Sequence, residues 1–271
     1  MGRVNASIYL NGEVVDAADA GVAAFSSAAL YGKGVFTTIA IYGGVPFLWE
    51  KHWRRLSDNA AKLGLDLSKF AEDSIREGLD EIVAKNGVVD GRARITFFDE
   101  TASAIWTRDG KRRTSLSIVT GDLRPVPQPL RLSISPFPVN SRAPLAGVKS
   151  CNYLENLIAH DEAKERGFDE AIRLNEDGHI TSASMANVFW LKDGRLFTPS
   201  LSTGCLPGTT REFVLENIEC EEVEAEIGEI ENADAIFLTS AGLGVTAVAE
   251  FEARKLGIPT HPIADLLPAP R

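Results

Sequence analysis

Glycine-marked turns cut this chain into pieces too short for anything but brief strands and modest helices. Asn11-Gly12, Gly43-Gly44, Asn86-Gly87, Asp177-Gly178 and Asp193-Gly194 sit at the ends of apolar runs. Such pairs favour the backbone conformations that tight turns need. The runs around Asn11-Gly12, residues 7–10 and 13–15, read as a β-hairpin, and residues 35–42 and 45–49 around Gly43-Gly44 as a second. Trp53, Leu56, Ala60 and Leu63 recur at helical spacing, so residues 50–63 form an amphipathic helix that Gly64 ends. A second helix is predicted over 67–85, and strands over 92–98 and 115–120, with a basic loop through Arg108–Arg113 between them.

Residues 121–129, GDLRPVPQP, carry three prolines and read as a linker. The sequence therefore divides into an N-terminal α+β lobe over 1–120, the linker, and a C-terminal lobe over 130–271. In the second lobe the pattern predicts a strand over 130–136 and a helix over 152–166 with Tyr153, Leu154, Leu157 and Ile158 on one face. Short strands follow at 171–175, 180–181, 187–191 and 196–198, then a helix over 209–218 and a buried strand over 235–239. Strands and helices are interspersed in both lobes, which is the α+β class.

Composition narrows the partners. Twenty-eight basic against 38 acidic residues leave a net charge of −10 in 271 residues. Polyanions and anionic membranes require concentrated Lys and Arg, so nucleic acid and membrane are excluded as partners. Cys151, Cys205 and Cys220 lack metal-site spacing, and His52, His160, His179 and His261 lie far apart, so no metal is expected. No leader pattern and no membrane-spanning run are visible, so the expected location is the cytoplasm.

Four segments carry chemistry. Gly204-Cys-Leu-Pro-Gly208-Thr209-Thr210-Arg211 runs into a predicted helix, whose free N–H groups and hydroxyls suit a phosphate, although the same residues also make an ordinary capped helix. Lys149 follows an apolar stretch, and a desolvated lysine becomes a nucleophilic amine suited to Schiff-base chemistry. Arg55 in His52-Trp-Arg-Arg55-Leu56 lies beside the buried stripe of its helix and can grip a phosphate with two hydrogen bonds. The small polar run Thr181–Ala186 within residues 180–190 suits the floor of a pocket or a tight loop.

Together these segments resemble the class IV pyridoxal-phosphate aminotransferases, a family that includes branched-chain and D-amino-acid aminotransferases and 4-amino-4-deoxychorismate lyase. The motifs are Asn11-Gly12, Tyr31-Gly-Lys-Gly-Val-Phe36, His52-x-x-Arg55-Leu56, Lys149-Ser-Cys-Asn-Tyr153 and Leu206-Pro-Gly-Thr-Thr-Arg211, spread over nearly the whole chain. The resemblance implies a two-lobed fold-type IV enzyme, with a small N-terminal α/β lobe and a larger C-terminal lobe with a β-barrel-like core. It implies pyridoxal 5'-phosphate as cofactor, bound through a Lys149 aldimine, and a homodimer with the site between the lobes. Cofactor contacts fall on Arg55, Lys149, Tyr153, Ser182, Gly208, Thr209, Thr210 and Ala241, and substrate contacts on Tyr31, Phe36 and Gly242. Lys149 and Thr38 are the catalytic residues it points to.

Two departures bear on the reaction. Where the family carries a Glu that pairs with the pyridine nitrogen, this chain has Ser182 in Ile180-Thr-Ser182-Ala. A hydroxyl can hydrogen-bond that nitrogen but cannot hold its proton by charge, so slower or altered chemistry is expected. After the strand over 92–98, D-amino-acid aminotransferases place an Arg-Gly pair that grips the substrate carboxylate. Asp99-Glu100 stands there instead, and the expectation is repulsion of that carboxylate, with Arg94 or Arg108 as alternative partners. The resemblance thus implies an amino-acid aminotransferase acting between an amino acid and a 2-oxo acid. Phe36-Thr37-Thr38 and Ala186-Asn-Val-Phe-Trp190 look more like the lyases, so release of pyruvate from aminodeoxychorismate is the alternative. A cofactor-binding homologue with little turnover, motivated by Ser182, is the third reading.

Overall fold

The computed structural model describes residues 5–102, 112–123, 126–127, 129–257 and 260–267. Two compact units make up the chain, one from Met1–Arg124 with Val148–Asn152 and Pro270–Arg271, the other from Pro125–Gly147 with Tyr153–Ala269. The division near 124 falls inside the proline-bearing stretch, and Val148–Asn152 groups with the first unit.

In the first unit the elements run β1 (Ser7–Leu10), β2 (Glu13–Asp16), α1 (Ser27–Tyr31), β3 (Gly34–Tyr42), β4 (Val45–Pro46), α2 (Trp49–Lys62), α3 (Glu72–Lys85), β5 (Gly91–Asp99) and β6 (Thr114–Asp122). The strands form one antiparallel sheet in the order β2-β1-β6-β5-β3-β4. Alternation along β3 sends Val35, Ile39 and Ile41 into a core shared with Leu56 and Ala60 of α2 and with Ile75, Leu79 and Ile82 of α3. Burying such side chains contributes about 1.5–3 kcal/mol each, which is what fastens both helices to the sheet.

Two local expectations fail here for identifiable reasons. The strand expected over 45–49 stops short because, just after the Phe47 N–H donates to the Ala40 carbonyl at 2.9 Å, Leu48 turns the chain at a φ of 57° and Trp49 opens α2. The helix expected from 67 begins at Glu72, because Ala71 is extended and Leu67 and Phe70 pack on the core from a turn.

The second unit holds β7 (Arg131–Ile134), α4 (Leu154–Glu165), β8 (Glu170–Leu174), β9 (Ile180–Ala183), β10 (Asn187–Lys192), β11 (Arg195–Pro199), α5 (Thr209–Asn217), β12 (Glu221–Val223), α6 (Gly228–Glu231), β13 (Ala235–Ser240), β14 (Gly244–Ala247), β15 (Glu250–Phe251) and β16 (Arg254–Lys255). They make two open five-stranded sheets, β12-β11-β10-β13-β14 and β16-β15-β7-β8-β9. Leu132, Ile172 and Ile180 of one sheet share a core with Val188, Trp190, Ile236 and Leu238 of the other. The alternate residues Phe189 and Phe237 pack on the opposite side with Val214 of α5. The β-barrel-like core expected here is thus a pair of facing sheets, and neither closes among the described residues.

In α4 the structure inverts the expected face. Ala159 and Ala163 are buried, whereas Leu154, Leu157 and Ile158 face outward.

Candidate active site

Lys149 is placed by a short pairing that no local pattern announces. The Phe36 N–H donates to the Lys149 carbonyl at 3.0 Å, the Cys151 N–H donates to the Gly34 carbonyl at 2.8 Å, and Val35 bridges Ser150. β4 covers only Ile41 and Tyr42, so the start of β3 is an open edge that Val148–Asn152 completes. Gly34 permits the approach, since a Cβ there would stand 2.9 Å from both the Cys151 Sγ and the Phe97 carbonyl.

The Lys149 Nζ then lies 4.5 Å from the centroid of the Phe36 ring, and the Arg94 guanidinium lies 3.6 Å from the same centroid. Phe36 and Thr38 share one face of β3, and Arg94 is the direct cross-strand partner of Thr38, so all three stand together. Burial, then the charges of Arg55 and Arg94, pull the Lys149 ammonium from 10.5 down to about 7. A large share of this lysine is therefore neutral and nucleophilic near neutral pH.

The other face of β3 carries Thr37 in the apolar row beside Ile39, and its hydroxyl is fully buried. The Arg55 Nη2 donates to Thr37 Oγ1 at 2.9 Å, and Thr37 Oγ1 lies 2.6 Å from the His52 Nδ1. Burial and the charges of Arg55 and Lys149 hold the His52 imidazole well below its ordinary range, so it is neutral. A neutral ring then accepts the hydroxyl proton at Nδ1, and the oxygen keeps its lone pairs for Arg55. One threonine thereby fixes the direction of the arginine, a role the sequence hid inside an alternating strand.

Asp99-Glu100 does not present bare charge. The Lys33 Nζ donates to Asp99 at 2.7 Å, and the Thr101 N–H donates to its other oxygen at 2.9 Å. Burial alone would raise the Asp99 carboxyl, but these hydrogen bonds and the Lys33 charge outweigh it and leave it below its ordinary value. Glu100 accepts from the Ser115 hydroxyl and pairs with Arg113. The expected repulsion of a substrate carboxylate is therefore corrected, because both acids are already spoken for by neighbouring cations and hydroxyls. Arg108 lies outside the described residues. Tyr31 ends α1 and is partly exposed.

In the second unit Gly208 is the N-cap of α5, and Thr209 and Thr210, both buried, are its first residues. Asn187 builds this turn: its Nδ2 donates to the Leu206 carbonyl at 2.8 Å, and a Cβ on Gly208 would collide with its carboxamide oxygen. Asn187 is also the cross-strand partner of Thr239, whose buried hydroxyl has no hydrogen-bond partner among the described residues. The turn holding Ala241 and Gly242 follows directly, so the start of α5 and this turn lie at neighbouring strand ends. A helix N-terminus, a glycine cradle and the Thr239 hydroxyl suit a phosphate dianion.

Ser182 lies in the other sheet, opposite Arg173, and Tyr153 is the N-cap of α4. Arg173 stands out in the sequence only as a lone charge in the apolar run Ala171-Ile-Arg-Leu174. Among the described residues no cluster of His, Cys, Asp or Glu could hold a metal ion.

Comparison with known proteins matches residues 34–251 to the model for amino-transferase class IV. The chain is 32% identical over 257 residues to aminodeoxychorismate lyase of Bacillus subtilis, covering 90% of this chain and 86% of the relative. It is 27% identical over 269 residues to the branched-chain-amino-acid aminotransferase of Salmonella typhimurium, covering 92% and 86%. A crystal structure of the branched-chain aminotransferase of Thermoproteus uzoniensis with norvaline superposes at a TM-score of 0.87, with 27% identity and 97% and 92% of the two chains covered.

Proposed function

The chain belongs to the class IV aminotransferase family, and on that premise we propose that it is a pyridoxal 5'-phosphate-dependent amino-acid aminotransferase, moving an amino group between an amino acid and a 2-oxo acid. The observation that carries this reading is the half-buried amine of Lys149, brought down to about 7 by desolvation and the charges of Arg55 and Arg94. The cofactor, when bound, supplies an aldehyde that takes up amines and a ring that draws electron density from the substrate Cα.

The residues divide the remaining work. Lys149 is the amine nucleophile and then carries the proton at the substrate Cα, a task for which a value near neutrality is suited. Arg55, aimed by Thr37, and the start of α5 with Gly208, Thr209 and Thr210 hold the phosphate. Ala241 and Gly242 bring backbone N–H groups to the same anion, and the Thr239 hydroxyl gains the partner it lacks among the described residues. Tyr153 and Ser182 hydrogen-bond the polar atoms of the ring. Phe36 and Tyr31 line the substrate side, where Arg94, standing over Phe36, supplies the positive charge that a carboxylate requires.

A second reading is favoured by one position. Thr38 shares its face with Phe36 and stands opposite Arg94, and in this reading its hydroxyl passes a proton to a departing group. With the Bacillus subtilis relative, this supports a lyase that releases pyruvate from aminodeoxychorismate. We place the working enzyme as a homodimer, because Phe25 and Leu30 in the first unit and Leu154, Leu157 and Ile158 in the second leave apolar surface uncovered. No helix among the described residues is long and apolar enough to cross a membrane, and the three cysteines are free thiols, which accords with a cytoplasmic enzyme.

Loading the purified protein with pyridoxal phosphate tests the reading. An absorption band abolished by Lys149→Ala is expected, as is conversion to the pyridoxamine form on adding an amino acid. Pyruvate released from aminodeoxychorismate without a 2-oxo acid would select the lyase. A protein that takes up no cofactor would overturn both.

A further inference from the structure

Arg173 and Ser182 form a pair that the proposed reaction does not require. β8 and β9 run antiparallel with Arg173 directly opposite Ser182, and the register shifts immediately beyond Arg173. Residues directly opposite one another project from the same face of a sheet. Ile172 and Leu174 on either side of Arg173 pack into the core, so Arg173 projects from the other face, yet it is only 3% exposed.

Its guanidinium is held by neutral acceptors. Nε donates to the Phe137 carbonyl at 3.3 Å and Nη2 to the Pro138 carbonyl at 3.1 Å. The carboxylate nearest in charge, Glu155, stands 3.9 Å away on a side chain that is 82% exposed, so solvent screens it. The buried carboxylate of Glu170 is turned to the Met185 N–H and to His160. Among the described residues, Glu155 and the Tyr153 phenol, which is uncharged unless ionised, are the acidic groups that act on the guanidinium. The face that carries Ser182 therefore holds a buried and nearly uncompensated positive charge.

We infer that Arg173 is a positioning residue that keeps the cofactor's ring nitrogen unprotonated, with the Ser182 hydroxyl donating a hydrogen bond to that nitrogen's lone pair. The inference rests on the proposed pyridoxal-phosphate site, in which Ser182 faces the ring. A hydroxyl has one proton to give and satisfies a neutral nitrogen. A protonated nitrogen would set a second cation on a face that already carries one, and like charges in a poorly solvated site disfavour the charged form. A hydroxyl at 182 in place of a carboxylate and the nearby charge of Arg173 thus act in the same direction, and they make the ring a weaker electron acceptor.

Nitrogen-15 NMR of the holoenzyme, loaded with pyridoxal phosphate labelled at the ring nitrogen, tests this. The wild-type resonance is expected at the unprotonated position throughout the neutral pH range. Ser182→Glu should move it to the protonated position, and Arg173→Gln should raise the nitrogen's proton affinity at least tenfold, read as a shifted titration midpoint. A protonated wild-type resonance would overturn the inference and leave the cofactor site standing. Failure to recover the label on Lys149 after borohydride reduction would instead overturn the site itself. The wild-type spectrum decides the question even if a variant fails to fold.

Discussion

Replacing Lys149 with Met should make the cofactor-free protein more stable, and the gain should depend on pH in a defined way. The folded chain holds this ammonium at about 7 instead of 10.5. Between those values the unfolded chain binds the proton and the folded chain does not, so stability rises with pH across that window. Below about pH 7 the full penalty applies, and above about 10.5 it vanishes. At about 1.4 kcal/mol per unit the drop corresponds to roughly 4–5 kcal/mol. Lys149 keeps partial solvent contact, which trims the usable penalty to about 2–4 kcal/mol. Methionine retains the buried stem and removes the charge. Urea unfolding of wild type and Lys149→Met from pH 6 to pH 10 should show the variant ahead by about that amount at pH 6, the lead shrinking above pH 7. A difference that stays constant with pH, or a variant weaker at pH 6, would refute the claim that burial and neighbouring cations depress this amine.

Three other expectations follow from the same geometry. Thr37→Val leaves the His52 Nδ1 and the Arg55 Nη2 without their shared oxygen, and should cost about 1–3 kcal/mol and weaken pyridoxal-phosphate binding. Unchanged affinity in a cofactor titration would show that Thr37 does not aim Arg55. Gly208→Ala drives a methyl into the Asn187 carboxamide; about 1–3 kcal/mol should be lost in thermal unfolding, and less when Asn187→Ala is made with it. Asp99 has its carboxyl below the ordinary value, so its pairing contributes stability above about pH 4 that is lost as pH falls through the lowered value. Lys33→Met should remove that contribution and move acid unfolding to higher pH, and an unshifted acid transition would count against the Lys33–Asp99 pair.

Much of the local structure could be read without coordinates. The Asn11-Gly12 hairpin, the helix after Trp49 and the glycine-led start of α5 all follow from turn chemistry and helical spacing, which act over a few residues. The residue types suited to phosphate and amine chemistry were legible for the same reason, since the amine of Lys149, the guanidinium of Arg55 and the hydroxyls of Thr209 and Thr210 are properties of single side chains.

What the sequence alone determined was therefore a repertoire: strand and helix segments, an acidic charge balance, and the motifs of one enzyme family. Tertiary structure decided which groups meet and in what charge state. Lys149 joins β3 because β4 and Phe47 reach back only as far as Ala40 and leave the start of that edge for Val148–Asn152 to pair. Asp99 is neutralised by Lys33, sixty-six residues away in the chain, so its sign in the sequence misled. Thr37 lies in an apolar row and gains its role only from α2 packing across it. Arg173 faces Ser182 through a strand register that shifts one residue later, a detail set by how two strands share a core. Local chemistry is encoded in neighbours along the chain, whereas the field around a lysine or a serine is the sum of charges that folding alone brings near.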